Sequence, residues 1–241
     1  MTTVVIVQSN YIPWKGYFDL MHDADVFVLF DDRQYTRRDW RNRNQIKTEQ
    51  GVQWLTVPVE VKGKYDQRID ETAIADPAWA TNHWRRVVQC YRRAPFFGLY
   101  ADELEAMYRS AADLGMLSAV NRLFLGGIAR MLGVRTQVHW STDFPAAEGK
   151  TERLIALCQA TGARRYVSGP AAKGYLVPEL FFRAGIELRF KDYEGYPAYP
   201  QLHPPFVHGV TVLDLLFSVG ADAPWYIWGW RHGPLQEWSG P

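Results

Sequence analysis

Val4-Val5-Ile6-Val7, the loop Gln8-Ser9-Asn10-Tyr11-Ile12-Pro13, a stretch from Lys15 to His22, and Val26-Phe27-Val28-Leu29-Phe30 together decide the fold. Both apolar runs are short and rich in β-branched or aromatic residues, the pattern of strands buried on both faces. Between them, Tyr17 and Met21 stand four apart and Phe18 and Met21 three apart, which puts all three on one helix face. A strand, a helix and a strand in this order need a crossover, so the two strands are expected to be parallel.

Working outward, the same alternation recurs. Helix is expected near Thr151–Ala160 and Gly174–Ala184, and strand at Val134–Trp140, Tyr166-Val167 and Ile186–Phe190. Trp54–Val59 also reads as a strand, with Pro58 favouring an edge or an end. Between residues 77 and 132 the pattern turns helical: Asp76 and Pro77 open one helix to Tyr91, and further helices follow at Leu99–Ala112 and Met116–Leu132. Residues 193–210, rich in Tyr, Pro and His, read as a structured loop before a last helix at Thr211–Val219. The expected architecture is α/β, a mainly parallel Rossmann-like sheet with a helical insertion at about 77–132. Residues 1–222 are expected to form a single domain and 223–241 a Trp-rich tail.

Composition narrows the function. The 241 residues are 47% hydrophobic, enough for a substantial core, and the net charge of +1 offers no global field for nucleic acid or membrane. Cys90 and Cys158 form no Cys-x-x-Cys pair and read as buried thiols of a reducing cytoplasm. No basic leader precedes Val4 and no apolar run is long enough to span a bilayer, so a cytoplasmic protein without membrane insertion is expected.

Ligands of open parallel sheets bind beyond the carboxyl ends of strands. Three loops take that place: Gln8–Tyr17, Asp31–Asn44 and Ser168–Tyr175. The first offers Gln8, Asn10, Tyr11, Lys15 and Tyr17 to a substrate. The second carries Arg33, Arg37, Arg38, Arg41, Arg43 and, just beyond, Lys47 against Asp39, with Asn42 and Asn44 as neutral donors and acceptors. Guanidinium forks suit phosphate and carboxylate, and Tyr35 and Trp40 could stack a ring between them. A solvated basic face is the bland alternative. Asp31-Asp32 could hold a base, Asp32 above all, or simply pair with arginine. In the third loop Ser168, Lys173 and Tyr175 are candidates, with a helix start near Gly174 to attract an anion and Lys173 to offset charge developing in a reaction. His83, beside Trp84-Arg85-Arg86, is the first histidine to test as a base, then His203 and His208. No ligand spacing points to a metal. Arg85-Arg86 and Arg92-Arg93 lie about two helical turns apart, which makes tRNA a candidate partner. A homo-oligomer is another, and Trp225–Trp230 could cover either an apolar patch or a subunit contact.

Gln8-Ser9-Asn10-Tyr11-Ile12-Pro13-Trp14-Lys15-Gly16-Tyr17-Phe18, Asp31-Asp32-Arg33-Gln34-Tyr35 and Trp40-Arg41-Asn42-Arg43-Asn44 resemble the WbqC-like family. Trp54-Leu55-Thr56-Val57-Pro58, Tyr166-Val167-Ser168-Gly169-Pro170 and Asp214-Leu215-Leu216-Phe217 extend the resemblance over about residues 4–222. It implies a setting in bacterial O-antigen or natural-product gene clusters and a suggested glycine or aminoacyl transferase role. The implied reaction moves or ligates a small acyl group to an amine or hydroxyl of a sugar or small metabolite. The donor would be anionic: a nucleotide, an adenylate or an aminoacyl-tRNA, with ATP or another nucleotide as cosubstrate. The opening also resembles, more distantly, the nucleotide-binding fold of nucleotidyltransferases and pantothenate synthetases. There Gly16 matches, but Trp14 and Tyr17 stand where that fold has histidines. Their absence favours a second expectation, a non-catalytic protein that binds a phosphorylated ligand or a biosynthetic partner.

Overall fold

A computed structural model describes residues 1–241. Five strands form one parallel sheet: β1 (Thr3–Val7), β2 (Val26–Leu29), β5 (Gln137–Trp140), β6 (Arg165–Ser168) and β7 (Glu187–Phe190). Their order across the sheet is β5-β2-β1-β6-β7. α1 (Lys15–His22) links β1 to β2 as expected. Alternate residues of β1 and β2 face opposite layers, as the two-residue period of a strand requires. Val5, Phe27 and Leu29 face a core of 45 buried residues shared with α1, α2 (Trp79–Tyr91), α3 (Phe97–Ala112), α4 (Leu117–Met131) and α7 (Val212–Val219). Val4, Ile6, Val26 and Val28 face a core of 13, closed by α5 (Lys150–Ala160) and α6 (Pro178–Arg183).

The chain therefore runs outward from β1 through β2 to β5, then crosses back to β6 and runs outward the other way. The wound, Rossmann-like sheet has its topological switch between β1 and β6, where such sheets open a crevice at their carboxyl end. α2, α3 and α4 are the expected insertion. No helix is long and apolar enough to cross a membrane.

Two expectations need correction. The end of the basic segment is not a loop. Arg43–Thr48 (β3) pairs antiparallel with Gly51–Thr56 (β4), closed by a turn in which Gly51 has φ 99°. The second strand thus starts and ends earlier than Trp54–Val59. The helix expected from Gly174 starts four residues late, at Pro178. Pro170–Gly174 is a 3₁₀ turn, and Val177, extended at φ −105° and ψ 95° ahead of Pro178, delays α6. In the Trp-rich segment after residue 222, α8 (Ala223–Ile227) packs on α1, and Trp228 is buried with its ring stacked on His22 at 4.1 Å.

Candidate functional site

The loop after β1 is held by groups that sequence distance hides. Asp31, at the end of β2, is buried and accepts the Ser9 backbone N–H at 2.8 Å and the Ser118 hydroxyl from α4. Ser118 Oγ in turn accepts the Trp140 indole N–H at 3.1 Å. Burial pushes the Asp31 carboxyl upward, while the Ser118 and Ser9 donors and the Arg41 guanidinium oppose it. Asn121, also on α4, donates to Ser9 Oγ and to the Arg41 carbonyl, each at 2.9 Å. The helical layer thus fixes both loops at the rim of the sheet.

Arg41 is the centre of that rim. Its Nη1 donates to Asn10 Oδ1 and its Nη2 to Gln8 Oε1. Asp39 lies 3.7 Å away as a partly exposed ion pair, while Nε is buried without a partner. Tyr17, wholly buried in the helix below, donates its hydroxyl to the Gln8 carbonyl at 3.1 Å. Tyr175, in the third loop, is exposed; partial burial raises its phenol pKa and the Arg41 charge opposes the rise.

Beside this cluster is a cavity of about 320 Å³ lined by Asn10, Pro13, Trp14, Trp40, Asn44, His208 and Gly209. Asn44 holds its wall by donating to the Tyr11 and Ile12 carbonyls at 3.1 and 2.9 Å. Ile12 sits at φ 39°, a conformation that a β-branched residue adopts only under constraint. His208 brings an imidazole whose pKa is lowered, first by partial burial and then by the Lys15 charge. It is therefore neutral and able to accept a proton at neutral pH.

Of the residues singled out in the sequence, Gln8, Asn10, Tyr17 and Asn44 lie together around Arg41 and the cavity. Others do not. Tyr11 is fully buried and its hydroxyl lies 2.9 Å from both His83 Nδ1 and Tyr108 Oη, so Tyr11 and His83 belong to the core of the helical layer. Burial lowers the His83 pKa to about 4. Asp32 accepts from Arg33 and from buried Arg153, and these charges hold it below the usual carboxylate range although partial burial pushes the other way. Lys15 is buried too. Its ammonium donates to the Pro197 carbonyl at 3.0 Å between the rings of Tyr196 and Tyr199, and burial lowers its pKa to about 8. Asn42 donates to the Val57 carbonyl, and Ser168 accepts from the Tyr166 hydroxyl. Lys173 lies 5.5 Å from the Phe190 ring centroid. Arg43 lies over Trp54 and donates to the Arg38 carbonyl, so neither cation is bonded into the Arg41 cluster. Arg37 and Arg38 are exposed.

The sequence reading passed over Arg41 within its charge run, and Ser118, Asn121 and Trp140 altogether. The one local signal was the neighbourhood Trp40-Arg41-Asn42, a cation between an aromatic and an amide.

A family model described as the WbqC-like protein family matches residues 8–226. The uncharacterized protein Rv1507c of Mycobacterium tuberculosis is 49% identical over 227 residues, covering 94% of this chain and 98% of that protein. No solved structure matches this chain.

Proposed function

This chain belongs to the WbqC-like protein family, and from that premise we propose an enzyme that transfers or ligates a small acyl or aminoacyl group from an anionic activated donor. The acceptor is an amine or hydroxyl of a sugar or small metabolite. The observation that carries this reading is Arg41: a guanidinium aimed by Gln8 and Asn10, with its Nε buried and unpartnered, beside a cavity near the sheet's switch point. Such a cation suits the phosphate of a nucleotide or adenylate. Trp14 and Trp40 give the cavity aromatic walls.

In the reaction the acceptor's nitrogen or oxygen attacks the acyl carbon. The new C–N or C–O bond forms, the bond to the donor's leaving group breaks, and the acceptor's proton passes to neutral His208. Arg41 holds the negative charge that leaves with the donor. His208 replaces His83 and Asp32 as base, because it lines the cavity and they do not.

The test is thermal shift and turnover with ATP, nucleotide sugars and amino acids, alone and paired. Stabilisation by a nucleotide together with an amino acid, with product formed, is the expected result. Arg41→Ala is expected to weaken donor binding or turnover at least tenfold. Stabilisation with no turnover on any pair makes the protein a binding module, and wild-type affinity in Arg41→Ala removes the site.

A further inference from the structure

Next to the cavity the β3–β4 hairpin and the loop before it carry a surface that acyl transfer itself does not require. Trp40 is 42% exposed and Trp54 43%, with ring centroids 5.3 Å apart. The Arg43 guanidinium lies 4.1 Å from the Trp54 centroid. Large aromatic rings left in water among arginines are the composition of a binding face. The charges around them are available. Arg43 donates only to the Arg38 carbonyl, Arg37 only to the Val61 carbonyl, and Arg38, at φ 58°, turns its side chain out to solvent. The nearest carboxylates are engaged elsewhere, Asp39 with Thr36 and Arg41, and Glu60 with Lys64. Trp40 also walls the cavity, so the aromatic steps lead from the open hairpin into the site.

We propose that this face takes single-stranded nucleic acid. Bases stack on Trp54 and Trp40, phosphates meet Arg38 and Arg43, and the terminal nucleotide points into the cavity. A polynucleotide bearing an acyl group at its end would then be the anionic donor, a conclusion that rests on the transfer reading above. The rings select unpaired bases, because a base within a duplex offers no free face to a tryptophan. Arginines that outnumber the one carboxylate among them, Asp39, form what a phosphate backbone complements.

The experiment is fluorescence anisotropy of the full chain with a short labelled single-stranded oligoribonucleotide and with the same sequence as a duplex, across a salt series. The single strand is expected to bind at least tenfold more tightly than the duplex. Trp54→Ala should weaken it by about fivefold to a hundredfold, the usual range for losing one stacked base. The double variant Arg38→Ala/Arg43→Ala should lower the slope of log affinity against log salt by about 1.4, two phosphates' worth for a single strand. Arg38 is exposed and Trp54 and Arg43 are half-exposed, and circular dichroism checks that each variant keeps the fold. Absence of single-strand binding at low salt, equal duplex binding, or wild-type affinity in Trp54→Ala overturns the proposal, as does preference for an acidic peptide over the oligonucleotide. A chain that turns over a free nucleotide-linked donor but ignores the oligonucleotide sinks this inference alone. One that binds the oligonucleotide yet catalyses nothing with any donor sinks the transfer reading alone.

Discussion

Two histidines on one chain meet opposite surroundings, and each carries a pH prediction. His208 lines the cavity with its pKa below the ordinary value of 6.5. A base is silenced by protonation, so kcat/KM should hold at neutral pH and fall on an acidic limb below pH 6.5. His208→Gln should abolish that limb and lower kcat by about a hundredfold or more. His83 is buried and neutral, with a folded pKa of about 4 against 6.5 unfolded. The unfolded chain takes up its proton first, so this contribution to stability is complete above pH 6.5 and is lost as pH falls toward 4. It amounts to about 3 kcal/mol. Denaturant midpoints across that range should fall less steeply for His83→Gln than for the wild type. The core position of His83 was legible: it stands four residues after Trp79 and four before Val87, on the face that α2 buries. The polar neighbours Arg85 and Arg86 drew attention to chemistry instead of periodicity. For Gln8 and Asn10 the opposite held, since a loop just after a central strand is where ligands bind, whatever the fold does later.

The hairpin shows how an element escapes a pattern-based reading. Its first strand is Arg-Asn-Gln-Ile-Lys-Thr, and Asn44, Lys47 and Thr48 are buried polar residues with particular partners. Lys47 Nζ donates to the Pro205 carbonyl at 2.5 Å, a bond between residues far apart in sequence. No hydrophobic alternation announces such a strand. Asn44 ties the hairpin to the Tyr11–Ile12 backbone through two bonds. Asn44→Ala should strand those carbonyls and release the constraint on Ile12. A stability loss of about 1–3 kcal/mol is expected, read by chemical denaturation, together with weaker donor binding because the cavity wall shifts. Gly51→Val should cost about 1 kcal/mol or more, since a β-branched residue is strained at φ 99°. The α-helical insertion, by contrast, is visible from its 3.6-residue period, while the late start of α6 comes from Pro178, which forces Val177 out of helical geometry.

Across the whole molecule, the parallel sheet was legible because each strand is a local apolar run. The charge centre that locks the sheet to its surroundings was not. Asp19, fully buried on α1, is bound in fork geometry by Arg231 at 2.9 and 2.6 Å, by Lys191 at 2.9 Å, and by the Tyr196 hydroxyl. Nothing local in α1 predicts partners from β7's far end and from beyond α8. Removing the carboxylate strands the Arg231 fork and the Tyr196 hydroxyl and leaves Lys191 only Asp23, so Asp19→Ala should destabilise by about 3 kcal/mol in equilibrium unfolding. The same geometry bears on biogenesis. A ribosome delivers β1 and α1 first, yet one flank of β1 stays bare until residue 165 emerges, and Asp19 lacks its fork until residue 231 does. The opening segment therefore spends most of translation as an unfinished half-sheet, with one strand edge unpaired and the apolar face of Val4 and Ile6 still uncovered.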